Sequence, residues 1–186
     1  MIPLYIFIGI LVLVVLYVIG AYNGLVRSRL QVKEAWADID VQLKRRFDLI
    51  PNLINTIKGS TNFESSTLEK VVEARAKAMQ AGTPSEHAEA ENQLSGTLKT
   101  IFALSESYPD LKSNQNFLSL QSELSDTENK IQAARRFYNS NVMEYNTKIE
   151  TIPTNIFAKM FSFVAAEFFE LSEGESVARN PVEVKF

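Results

Sequence analysis

His87 is the only imidazole this chain can bring to a reaction, and it stands without the neighbours that would give it a task. A carboxylate-bridged di-iron site in a helical bundle needs Glu-x-x-His motifs on two helices. The residue three before His87 is Pro84. A helical zinc-protease motif needs a second histidine. Seryl catalysis needs a histidine base within reach of the hydroxyl, and the residues around His87 supply no such setting. His87 is therefore expected to be an exposed residue beside a helix start. The chain has no Cys, which removes disulfides, thiolate catalysis and cysteine zinc sites together. Its glycines are scattered singly and form neither a G-x-x-x-x-G-K-S/T loop nor a G-x-G-x-x-G turn. No catalytic, cofactor-binding or metal-ligating residue is assigned, so a non-enzymatic protein without a cofactor is expected.

The remaining polar candidates could bind, not react. Arg45-Arg46 and Arg135-Arg136 suit anionic lipid headgroups or a partner's carboxylates, against the plainer expectation of salt bridges on helix surfaces. Trp36 is expected to be a core anchor and not a partner's docking point. Thr127 and Asn141 interrupt an apolar stripe, where a polar residue can fix helix register. Nineteen Lys and Arg against 22 Asp and Glu give a net charge of -3, so the basic field of a nucleic-acid binder is missing.

The elements that must hold these residues read as long amphipathic helices with almost no strand signal. From Val32 the apolar side chains recur as Val32, Trp36, Ile39, Leu43, Phe47, Ile50, Ile54 and Ile57, gaps of three and four that make one helical stripe. The stripe resumes in phase after Pro51, so that proline reads as a kink and not an end. Gly59-Ser60-Thr61-Asn62 is a candidate stop. A second helix starts at Ser66 or Thr67 with Leu68, Val71, Val72, Arg75 and Met79 on its face. Gly82-Thr83-Pro84-Ser85 is the clearest break: Thr83 can cap a helix that begins at Pro84, with Glu86 three positions after the cap. That helix runs through Leu94, Leu98, Ile101 and Leu104 to about Tyr108, where Pro109 ends it. A third stripe, from Phe117 through Leu124, Thr127, Ile131, Tyr138 and Tyr145 to Ile149, implies a helix of roughly 50 Å. Pro153 stops it.

Ahead of all this lies an apolar run, Leu4 to Tyr22, without one Asp, Glu, Lys, Arg or His. As a helix it is about 28 Å long, close to the roughly 30 Å of a bilayer's hydrocarbon core. A cleaved signal peptide would carry a basic start and a small-x-small cleavage site. Here the first basic side chain is Arg27, and Tyr22 and Asn23 follow Gly20-Ala21. A retained anchor is the expectation, ahead of a cleaved signal or a buried core helix. Arg27, Arg29 and Lys33 follow the run while Met1 to Pro3 carry no charged side chain, which predicts an external N-terminus and a cytoplasmic bulk.

Three long stretches joined by short turns can hide their stripes only against one another. The fold class is therefore all-α: a transmembrane helix, then an elongated antiparallel bundle of three to four long helices. Residues 1–3 form a short external N-terminus, 4–23 the transmembrane helix and 24–153 the bundle. Residues 154–171 form an aromatic segment, rich in Ile156, Phe157, Met160, Phe161, Phe163, Val164, Phe168 and Phe169, with two readings open: packing on the end of the bundle, or lying in the membrane interface. Residues 172–186 form a polar tail.

The stretch from Glu34-Ala-Trp-Ala-Asp-Ile-Asp through Lys44-Arg-Arg-Phe-Asp-Leu-Ile-Pro-Asn-Leu resembles the LemA family of bacterial membrane proteins. So do Ala90-Glu-Asn-Gln-Leu-Ser-Gly, Tyr108-Pro-Asp-Leu-Lys, Leu124-Ser-Asp-Thr-Glu-Asn-Lys-Ile and Ala133-Ala-Arg-Arg-Phe-Tyr-Asn. The resemblance implies a single-pass protein of the bacterial inner membrane with a cytoplasmic helical bundle and no activity or cofactor to carry over; one branch of the family is associated with magnetosome membranes. The expected function is a membrane-anchored scaffold that meets the bilayer through residues 4–22 and self-associates or docks other membrane proteins. The alternative is a signalling or regulatory adaptor that relays membrane state to a partner. No nucleic acid is expected among its partners.

Overall fold

A computed structural model describes residues 2–60 and 64–170, and every regular element among them is an α-helix. These are α1 (Ile2–Ser60), α2 (Ser65–Gln80), α3 (Pro84–Ser105), α4 (Pro109–Lys112), α5 (Gln115–Glu150) and α6 (Thr154–Met160). The chain divides into two compact units. Among the described residues, one holds 2–38 and 136–167, the other 39–60, 64–135 and 168–170.

In the second unit, five helices share one core. Ile50, Leu53, Ile54 and Ile57 of α1 meet Leu68, Val71, Ala74 and Ala78 of α2, Ala90, Leu94, Leu98 and Ile101 of α3, Leu111 of α4, and Phe117 and Leu124 of α5. The α2 stripe differs from the one expected: Ala74 and Ala78 are buried, while Val72 and Met79 are 49% and 54% exposed. Small residues at those two positions leave no bulk between α2 and its neighbours, and the helix turns its larger side chains outward. Helix α3 opens on the expected capping box, with the Glu86 amide donating to Thr83 Oγ1 at 3.2 Å and the Thr83 amide to Glu86 Oε2 at 3.1 Å. It ends at Ser105, short of Tyr108, and Pro109 opens α4. Helix α1 runs through Pro51 without a break and is described as far as Ser60. Thr61 and Asn62, the rest of the expected stop, lie outside the described residues.

Pro51 cannot donate the bond that the Phe47 carbonyl, four residues earlier, would otherwise accept. Arg75 of α2 replaces it: its Nε donates to Phe47 O at 2.9 Å. A charged residue on the α2 stripe is thus explained by a gap in α1.

In the first unit, Leu25, Val32 and Ala35 of α1 are buried with Tyr138, Val142 and Tyr145 of α5. Lys148 Nζ donates to Ser28 Oγ at 2.6 Å, and the rings of Trp36 and Tyr138 meet edge-on at 5.3 Å. Trp36 is half-buried, an anchor on the margin of the core. After α6, Ser162 takes a left-handed conformation at φ 56°. The Phe163 amide then donates to Ala158 O at 2.9 Å and the Ser162 amide to Lys159 O at 3.2 Å, a Schellman closure of the helix. The chain turns there and runs back along α5. Tyr145 Oη donates to Val164 O at 3.0 Å, Asn146 exchanges two bonds with Ala166, and Tyr138 Oη donates to Glu167 O at 2.8 Å. Side chains of α5 thus do for this segment what a neighbouring strand would do. The expected polar tail lies outside the described residues, as does everything beyond Glu170.

Candidate functional site

Two charged side chains occupy core positions of the second unit. On α1 the buried positions run Ile39, Leu43, Arg46, Ile50, Leu53, Ile57; on α3 they run Glu91, Leu94, Leu98, Ile101, Ser105. Each series has the three-four spacing of one helical face, so folding the apolar residues inward carries Arg46 and Glu91 with them. Arg46 is 3% exposed and Glu91 1%.

The Arg46 guanidinium sits between two carboxylates. Its Nη1 donates to Glu91 Oε2 at 3.0 Å and lies 2.9 Å from Oε2 of Glu128 on α5. Its Nη2 donates to Ser95 Oγ at 2.7 Å, and the Ser95 hydroxyl passes its own proton toward Glu128 Oε2 at 3.0 Å. One cation and one hydroxyl therefore tie α1, α3 and α5 together. The planar fork suits Arg to this role: Nη1 reaches both α3 and α5, and Nη2 reaches α3 a second time.

Two carboxylates share one close guanidinium, so full ionisation leaves the cluster short of positive charge. The shortfall falls on Glu91. Burial raises its pKa to about 7, and attraction to Arg46 offsets only part of that. Its Oε1 is buried without a hydrogen-bond partner among the described residues. A proton on that oxygen would remove the excess charge. Arg135, half-buried on α5, adds attraction from further off and stacks its guanidinium over Phe169 at 4.6 Å.

Beside the cluster lies an open groove of about 620 Å³ between α3 and α5. Ser95, Lys99, Ser122, Ser125 and Asn129 supply its polar wall, and Leu98, Phe102 and Leu118 its apolar wall. The arrangement can hold helices in register, take up a proton at Glu91 and offer a polar groove. Among the described residues no group of three acidic, His or Cys side chains is placed to hold a metal ion.

The candidates singled out in the sequence end in different places. Arg45 is exposed and faces Glu123 and Asp126, each at 4.0 Å, the surface pairing expected. Arg46, its neighbour, is a correction, being a core residue and not a surface one. Arg136 is exposed. His87 is half-buried, not exposed; burial lowers its pKa, against the pull of Asp40 and Glu86. Thr127 is fully buried, but its hydroxyl is satisfied inside α5, donating to Glu123 O at 2.7 Å. Asn141 does likewise with Phe137 O at 2.8 Å. Glu91, Ser95 and Glu128 stand within two of the stretches that resemble the LemA family, but the resemblance assigns them no role. The sign was present: Glu91 stands three residues before Leu94 in the α3 stripe, and Arg46 three after Leu43 in α1.

The model of the LemA family matches residues 35–186. Protein LemA of Metamycoplasma hominis is 30% identical over 171 residues, covering 90% of this chain and 77% of that protein. Magnetosome protein MamQ 2 of Paramagnetospirillum magneticum is 23% identical over 175 residues, and MamQ of Magnetospirillum gryphiswaldense 21% over 174. Both matches cover 80% of this chain but 64% of the relative. None of these names states a catalytic activity. With four-fifths of its length matched by the family model and a LemA relative along nearly all of it, the chain belongs to the LemA family.

Proposed function

We propose that this protein is a membrane-anchored, non-enzymatic helical scaffold at the cytoplasmic face of a bacterial membrane. Its antiparallel helices associate with one another's copies or dock partner proteins. One observation carries the reading: α1 begins with an apolar stretch, residues 4–22, none of which is buried within the protein, while the same helix goes on into a packed core. A soluble protein would leave that stretch in water at large cost. The basic residues Arg27, Arg29 and Lys33, just past Tyr22, support an orientation with residues 24 onward inside. The MamQ relatives, named as magnetosome proteins, support work at a membrane. The buried charges support a structural role, since Arg46 and Glu128 are spent on one another and on Ser95.

Crosslinking in living cells, followed by gentle detergent extraction and mass measurement, tests the scaffold. Homotypic or defined heterotypic adducts are expected; a strictly monomeric protein without adducts at high concentration overturns it. The second reading, a regulatory adaptor, is favoured by Glu91, whose charge can change near neutral pH at the junction of three helices. It requires adducts that change with conditions.

A further inference from the structure

The aromatic segment packs on the apolar helix itself. Phe157 of α6 lies 5.9 Å from Tyr17 between ring centroids, and Phe161 and Phe163 lie 4.9 and 5.8 Å from Tyr22. Tyr17 is inside the uncharged run and Tyr22 is its last residue, so α6 sits within the final one and a half turns of that run. Five residues of helix are about 7.5 Å. Further on, the Arg29 guanidinium covers the Phe163 ring at 5.0 Å. The segment thus starts beside the apolar run and leaves beside the basic flank.

One side of the segment is used by these contacts and the other is bare. Ala158 is buried and Phe157 half-buried, whereas Ile152 is 82% exposed, Ile156 57%, Met160 62% and Val164 77%. Ile156 and Met160 stand one turn apart on α6 and share a face. From Thr151 to Val164 the only charged residue is Lys159. A bare apolar face of this kind calls for an occupant, and its position names one. Wherever residues 4–22 lie in lipid, rings touching Tyr17 and Tyr22 lie at the boundary of that lipid. The few basic residues of the segment argue against an independent membrane-binding helix. Arg27, Arg29 and Lys33 of α1 supply the missing cations at the headgroup level.

We propose that residues 152–164 form a second membrane contact, lying in the interface between headgroups and acyl chains beside α1, with Ile152, Ile156, Met160 and Val164 in the lipid. This inference rests on the reading of residues 4–22 as a membrane span. The Schellman turn at Ser162 reverses the chain within this contact, and beyond Val164 it leaves the interface along α5. It also gives the anchor two footholds, so that α1 cannot roll freely about its own axis.

The absence of cysteine makes the test clean. Single cysteines at Ile156, Met160 and Val164, with Val12 and Ser140 as reference positions, are spin-labelled in the full-length protein. The protein is placed in vesicles of phosphatidylcholine with a minority of phosphatidylglycerol. Accessibility to oxygen against a water-soluble nickel chelate then gives depth. Labels at 156, 160 and 164 are expected about 5–10 Å below the headgroups, with 12 deeper and 140 in water. Aqueous values at all three with 12 deep overturn this contact alone. Aqueous values at 12 as well overturn the span on which it rests. Low access to both reagents, with spin–spin broadening, means a second copy covers the face and also overturns it. The unaltered protein gives an independent reading: a photoactivatable lipid is expected to label residues 152–164 as well as 4–22, and labelling confined to 4–22 counts against the contact.

Discussion

Arg46 shows what one side chain can decide. Its guanidinium is the close cation for two carboxylates, and with it gone Glu91 and Glu128 would face each other with only the more distant Arg135 to offset them. Arg46→Ala is therefore expected to cost about 3–5 kcal/mol of stability, as breaking a buried pair from one side does. Chemical denaturation in detergent micelles would measure it, and a loss below about 1 kcal/mol would contradict the buried cluster. Glu91 sets the pH dependence. Its folded pKa of about 7 lies above the ordinary 4.5, so the folded state holds the proton more tightly than the unfolded one. Below about pH 4.5 both states are protonated and Glu91 costs nothing. Between there and pH 7 stability falls as pH rises, and above pH 7 the penalty is complete. Glu91→Gln should remove this slope. Denaturation midpoints of the two proteins across that range should converge at the acid end and separate toward neutrality, with the Gln variant above; parallel curves would sink the assignment.

At the scale of elements, α1 and α2 are joined by the repair of a missing hydrogen bond. Pro51 strips the Phe47 carbonyl of its helical donor, and Arg75 Nε takes the place. Arg75→Ala should cost about 1 kcal/mol, the low end of the range for leaving an acceptor unsatisfied, because this bond is only partly buried. In a Pro51→Ala background the backbone N–H returns, and the same Arg75→Ala change should cost distinctly less. A double-mutant cycle measures this coupling; equal costs in both backgrounds would mean that Arg75 acts only through packing. The sequence placed Pro51 inside a continuing helix from the phase of Ile54. It could not name Arg75 as the partner, because 28 residues separate the two groups. The Thr83 cap was legible because its partners lie within three residues.

For the molecule as a whole, the proposed membrane span of residues 4–22 makes the plainest prediction. The full chain should stay with the membrane fraction through alkaline carbonate washing, and a form lacking residues 1–23 should lose most of that retention. Release of the full chain by carbonate would overturn the span. Orientation is separate: protease added to intact spheroplasts should leave residues 24 onward uncut, and digestion from outside would reverse the assignment. The residues 152–164 bear on the first experiment, since a second interfacial contact would leave the truncated form weakly bound and removable by salt or carbonate, not fully free.

Periodicity, composition and one local capping motif by themselves determined the all-helical class, the apolar run, the capped start of α3 and most of the α1 and α5 stripes. These follow from spacing within one helix, which is a local property of the chain. Tertiary structure alone decided that Arg46 and Glu91 lie inside, that Val72 and Met79 lie outside, and that the aromatic segment packs against Tyr17 and Tyr22. A helical face is wide enough to turn by one residue position without disturbing its own hydrogen bonds. Which residue then points inward depends on the size and charge of side chains arriving from distant parts of the chain. For the same reason the apolar run was evident from its composition, while the segment that lies beside it became evident only once the fold had brought it there.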